Sequence, residues 1–155
     1  MGRSRMRVMG VLLAVVTALL STVLNPGPAS ADLQRPHILR ITPVPDSGRV
    51  SCYGYYGTFK PGTDVIVVDW VSSSDECFAI APNLTIWHTW PGSGGWHQMG
   101  GNGHADNTYW YSFKEDPAIK ARSVAVFVSS SNTVWCQDYL LPKGWQNEWY
   151  QCPFS

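Results

Sequence analysis

The chemistry this sequence offers is concentrated in its tryptophans. Trp87, Trp90 and Trp96 stand with His88 and His97 around a glycine-rich loop, Pro91-Gly92-Ser93-Gly94-Gly95. An indole presents a flat apolar face to sugar C–H groups or to a partner's side chain, and tryptophan is enriched where binding energy concentrates. On an alternating strand Ile86, His88 and Trp90 share one face while Trp87 takes the other. Both faces then carry an indole and only one is expected to be core, so at least one ring comes near the surface. Asn102, His104, Asp106 and Asn107 follow closely and bring the directional hydrogen bonds a sugar requires. The candidate ligand-binding set is therefore Trp87, His88, Trp90, Trp96, His97, Asn102, Asp106 and Asn107. The competing reading is core packing, as small β domains often fill their interior with tryptophan. Trp145 and Trp149, beside Cys152, lean that way because aromatic rings commonly pack on a disulfide.

Catalytic chemistry is harder to find. It needs a nucleophile with a base, paired carboxylates, or a metal with an open position. The serines fall in turns and in two Ser-Ser-Ser runs, 72–74 and 129–131, with no G-x-S-x-G elbow. Glu115 and Asp116 precede Pro117 and read as a solvated turn rather than a glycosidase pair. His88, His97, His104 and Asp106 are the best metal candidates, but their spacing lacks the pattern of a strong site. The expectation is a non-enzymatic protein with no metal and no cofactor.

Positioning these residues falls to a small exported domain. Arg3, Arg5 and Arg7 precede an apolar run, the helix-breaking Asn25-Pro26-Gly27-Pro28, and then Ala29-Ser30-Ala31. Those are the parts of a cleavable signal peptide, expected to span 1–31. What remains holds all 8 Trp, 7 Tyr and 5 Phe and no second apolar run of membrane-spanning length, so a soluble extracellular protein is expected. Losing three arginines leaves 8 Lys+Arg against 11 Asp+Glu, a balance that offers nucleic acid no basic stripe. Cys52, Cys77, Cys136 and Cys152 all lie in the exported part and no C-x-x-C pair occurs, which argues for two disulfides. Three pairings are open; Cys52–Cys77 and Cys136–Cys152 are favoured because each clips a local pair of strands, worth about 3 kcal/mol apiece.

Residues 32–49 carry prolines that remove backbone donors and favour extended geometry, and they read as an arm ending at the Asp46-Ser47-Gly48 turn. Ile38, Leu39, Arg40 and Ile41 are its candidate partner-binding residues. The domain proper, 50–155, alternates β-rich runs with Gly/Pro/Ser/Asn turns. Strands are expected over 50–59, 64–71, 77–81, 84–90, 109–114, 122–129 and 133–140, with short returns at 96–99 and 145–151. No window has sustained helical periodicity. The fold class is all-β: a small antiparallel sandwich or barrel, or two blade-like sheet repeats, with two disulfides.

The repeat alternative rests on an internal echo. The run 65–74 (VIVVDWVSSS) matches 124–131 (VAVFVSSS), Thr85-Ile86-Trp87 matches Thr133-Val134-Trp135, and Gly95-Trp96 matches Gly144-Trp145. With Ile86-Trp87-His88-Thr89-Trp90 and Gly100-Gly101, segments 64–101 and 122–152 resemble the blades of small bacterial propeller lectins. That resemblance implies carbohydrate binding, and self-association, since two blades cannot close a ring. The arginine and glutamate of fucose-binding members have no counterpart here: Val67 and Ala125 hold the strand positions. A second segment, 65–82, with Cys77-Phe78-Ala79-Ile80-Ala81-Pro82, resembles tendamistat-type secreted amylase inhibitors, two-disulfide β-sandwiches whose Trp-Arg-Tyr turn is missing here.

Three functional expectations follow. The first is a secreted recognition module that binds carbohydrate through the tryptophan-rich loops. The second is an adaptor or assembly subunit of a secreted multiprotein complex, such as a lectin-bearing toxin, docking a protein partner through its N-terminal arm by strand addition. The third is an inhibitor of a secreted hydrolase.

Overall fold

The computed structural model describes residues 34–153, so the expected signal peptide at 1–31 lies outside the described residues. Among the described residues thirteen strands form three antiparallel sheets. The first sheet runs, in spatial order, β1 (His37–Pro43), β4 (Asp64–Asp69), β5 (Glu76–Ile80), β6 (Ile86–Thr89) and β7 (His97–Gln98). The second places β12 (Gly144–Trp145), β11 (Thr133–Leu140), β10 (Ala121–Val128) and β8 (Asn107–Thr108) side by side. In it β9 (Lys114–Asp116) also pairs with β10, and β13 (Tyr150–Gln151) with β11. The third is the hairpin β2 (Arg49–Cys52) and β3 (Tyr55–Thr58). The protein is all-β, its sheets curl into a half-barrel, and its disulfides join Cys52 to Cys77 and Cys136 to Cys152.

The inner strands of the first sheet, β4 to β6, are buried on both faces, which explains why β4 reads as an unbroken apolar run rather than an alternation. Ile66, Val68, Phe78, Ile80 and Ile86 pack against Val124, Val126 and Val134 of the second sheet. From the other face Val65, Val67, Cys77 and Ala79 join Val44, Cys52 and Phe59 beneath the β2–β3 hairpin. The Cys52–Cys77 disulfide staples that hairpin to β5.

Three expectations change. The segment read as an arm is built into the sheet: β1 pairs with β4 over most of its length, with a register shift between Ile38 and Arg40. Of its candidate residues, Ile38 packs on the core while Leu39, Arg40 and Ile41 stay exposed. The strand expected at 109–114 is a 3-10 turn over Trp110–Ser112, with β9 following it. Glu115 and Asp116, read as solvated, are buried. Glu115 accepts hydrogen bonds from the Val71 N–H (2.9 Å), the Ser72 N–H (3.0 Å) and the Ser72 hydroxyl (2.7 Å), which pins the turn after β4 to β9 of the other sheet.

The sequence echo has a local structural counterpart. The Trp87 indole N–H donates to Thr85 Oγ1 at 2.8 Å, and that of Trp135 to Thr133 Oγ1 at 2.9 Å. Topology separates the two halves nonetheless. The insertion at 75–83 holds the whole of β5, so β6 runs parallel to β4, whereas β11 follows β10 directly and runs antiparallel to it.

Candidate functional site

Two cross-strand rows face each other where the two main sheets diverge. In the second sheet the register sets Arg122 opposite Tyr139, and Tyr139 opposite Trp145. Cross-strand neighbours on one face lie close enough for long side chains to stack. The Arg122 guanidinium sits 4.0 Å from the centre of the Tyr139 ring, and the Tyr139 and Trp145 rings are 5.5 Å apart. In the first sheet Phe78 faces His88 and His88 faces His97. Trp90, just beyond β6, lies with its ring centre 5.2 Å from His88 and 5.1 Å from His97. The Trp145 ring stands edge-on to both Phe78 and His88, at 6.0 Å from each.

Between the rows opens a cleft of about 320 Å³, lined by Ser73, Ser74, Glu76, His88, Trp90, Arg122, Tyr139 and Trp145. Its floor is a buried polar network. Glu76 and His88, 3% and 7% exposed, meet at 2.5 Å through Oε1 and Nδ1. The other carboxylate oxygen accepts the indole N–H of fully buried Trp70 at 3.0 Å. Arg122 Nη1 stands 3.9 Å from that same oxygen and donates to the Ser73 hydroxyl. A carboxylate on Nδ1 fixes the imidazole tautomer and leaves Nε2 as an acceptor. The cleft thus offers flat aromatic walls, an oriented imidazole, a guanidinium and serine hydroxyls. An imidazole held by a carboxylate is also part of what general-base catalysis requires, but no hydroxyl is hydrogen-bonded to it among the described residues.

The residues proposed from sequence divide among several places. His88 and Trp90 line the cleft, and His97 stacks behind Trp90. Trp87 points to the opposite face, as the alternation of β6 requires, and it and Trp96 pack under the β2–β3 hairpin. Trp96 lies 4.4 Å from Phe59 and donates its indole N–H to the Tyr55 carbonyl at 3.1 Å. Asn107 Oδ1 accepts the backbone N–H groups of Asp64 (3.0 Å) and Thr108 (2.8 Å), which ties the sheets together. Asp106 receives the Ser129 hydroxyl and N–H, and those bonds hold its carboxyl below the usual range. Asn102 and His104 line a separate hollow with Trp135 and Trp149. There Gly100, Gly101 and Gly103 lie so close to Asn147 and Trp149 that any side chain would overlap them. Among the described residues no group of three or more His, Cys, Asp or Glu is placed to hold a metal ion.

Arg122, Tyr139, Glu76 and the serines 73–74 escape the sequence reading, while Trp145 packs on the core as expected and lines the cleft as well. A signal for two of them exists. Glu76 is in phase with the core residues Phe78 and Ile80 on β5, and Arg122 with Val124 and Val126 on β10. A charge in step with a strand's buried face needs a partner or a purpose.

No protein-family model matches the chain, and neither curated proteins nor solved structures include a match to it. Among the described residues no helix is long and apolar enough to cross a membrane.

Proposed function

We propose that the protein is a secreted, non-enzymatic recognition module that binds carbohydrate in the cleft between Trp90 and Trp145. The observation that carries this reading is the pairing of aromatic walls from both sheets with a polar floor whose members are already hydrogen-bonded in place. Sugars present alternating apolar and hydroxyl faces, and a site of rigid rings and oriented polar groups pays little ordering entropy on binding them. Two disulfides and the leader-like start of the chain accord with an extracellular setting.

The test is a screen of the disulfide-bonded protein against immobilised polysaccharides, followed by Trp90→Ala and Trp145→Ala. Each substitution is expected to weaken retention roughly 10-fold or more, since a central aromatic contact is commonly worth about 2 kcal/mol. Trp96→Ala is expected to lower stability while leaving binding intact. Retention unchanged in both cleft variants would retire the cleft as the site.

An adaptor role is the second reading, and β1 favours it. This strand edges its sheet with Leu39 and Ile41 exposed, a position from which a partner's strand can be added. The irregularity at Leu39 and the proline at 43 shorten the run of edge groups a partner could use, which is how edge strands are commonly blunted. The carbohydrate reading therefore stands first.

A further inference from the structure

Arg122 is the group in the cleft that the fold leaves least satisfied. Its side chain is 10% exposed and lines the cleft wall. A guanidinium carries five N–H donors and no acceptor. Among the described residues only Nη1 donates to a protein oxygen, that of Ser73, and the enclosed Nε meets no acceptor. Glu76 does not make up the deficit. Its oxygens already take the His88 and Trp70 donors, and Nη1 lies 3.9 Å away, beyond hydrogen-bond reach. Glu115, opposite Arg122 in the β9–β10 register, turns its carboxylate to Val71 and Ser72 instead.

Stacking holds the guanidinium in place. Its carbon lies 4.0 Å from the Tyr139 ring centre, 5.3 Å from Trp70 and 5.8 Å from Trp145. The rings hold the cation in the cleft wall, and burial makes each unmet donor costly until an acceptor arrives. A second cation, Lys120, lines the adjoining hollow with Arg122, Tyr139 and Leu141, while Glu76 is the one carboxylate lining the cleft itself.

Resting on the carbohydrate reading above, we infer that the saccharide taken by this cleft is an acidic one, a uronate whose carboxylate docks on Arg122. Guanidinium and carboxylate match in plane and in donor–acceptor spacing, so this contact fixes orientation as well as charge. The sugar ring then lies against Trp90 and Trp145, with His88 Nε2 accepting from a ring hydroxyl.

The test compares alginate, polygalacturonate and hyaluronan with their carboxyl-methyl esters, and with the neutral polymers dextran, cellulose and chitin, as affinity matrices for the disulfide-bonded protein. Retention on at least one acidic polymer is expected, falling 10-fold or more on esterification. Arg122→Gln should abolish the difference between acid and ester. Because Arg122 packs under three rings and its replacement can unfold the domain, the ester comparison on the unaltered protein decides alone. Equal retention of acid and ester, or retention on neutral polymers only, overturns the acidic ligand and leaves the carbohydrate reading standing. Free acetate competing as well as an oligouronate, mole for mole, overturns the sugar half of the inference. No retention on any polymer overturns both.

Discussion

Glu76 holds together donors from two parts of the molecule: His88 on β6 and Trp70 after β4. Removing the carboxylate strands both of them in a buried setting, so Glu76→Ala is expected to cost about 3–5 kcal/mol, read from urea denaturation. Glu76→Gln, which keeps hydrogen-bonding capacity, is expected to cost less, and an equal loss in both would point to the charge itself. These residues also show what the sequence withholds. The crowding of Trp87, His88, Trp90 and Trp96 is visible at once, but alternation along β6 parts Trp87 from His88, and the turn beyond β6 leaves Trp90 beside His88 and Trp96 with Trp87. Their cleft partners Arg122, Tyr139 and Trp145 come from strands far along the chain, and only register brings them opposite.

Side-chain hydrogen bonds help to hold two elements in place. The turn after β4 hangs on Glu115, whose three accepted bonds make Glu115→Ala a loss of about 3 kcal/mol, measurable as a lower thermal midpoint. The last strand, β13, pairs with β11, and its Tyr150 hydroxyl donates to Asp138 at 2.8 Å. Burial, with that bond, pushes the Tyr150 phenol up to about 12, and burial with the charge of Asp75 does the same for Tyr53. A raised phenol favours the neutral form in the fold. Its contribution is therefore complete below the unfolded value near pH 10 and is lost as pH climbs from there through 12. Ultraviolet titration should show phenol ionisation still in progress near pH 12, together with β13 loosening in alkali; ionisation complete near pH 10 would contradict this. Most strands were legible from β-rich runs between turns. The exceptions follow from tertiary context: the aromatic run at 109–114 tightens into a 3-10 turn, and buried Glu115 looks solvated in sequence because its partners, two backbone N–H groups and a hydroxyl, lie more than forty residues away.

At the scale of the whole molecule, three layers share two cores, and a disulfide serves each. Cys52–Cys77 lies in the core beneath the hairpin, and Cys136–Cys152 in the one between the main sheets. The all-β class could be read from composition, and the pairing found is the one favoured among three that the sequence left open; the unbroken apolar run of β4 marks a strand covered on both faces, but nothing in it says that the β2–β3 hairpin supplies the cover. Cys136→Ser with Cys152→Ser is expected to cost about 3 kcal/mol, detectable by calorimetry, and to free β13 before the rest of the sheet. The same bonds bear on wear. Exposed Pro61 and Gly62 fall inside the span closed by Cys52 and Cys77, and exposed Lys143 inside that closed by Cys136 and Cys152. A protease cutting at either place opens a ring without releasing a fragment, and the strands on both sides of the cut stay paired. In a protease-rich medium this protein should age by collecting nicks, intact on a non-reducing gel and in pieces on a reducing one, long before it disappears.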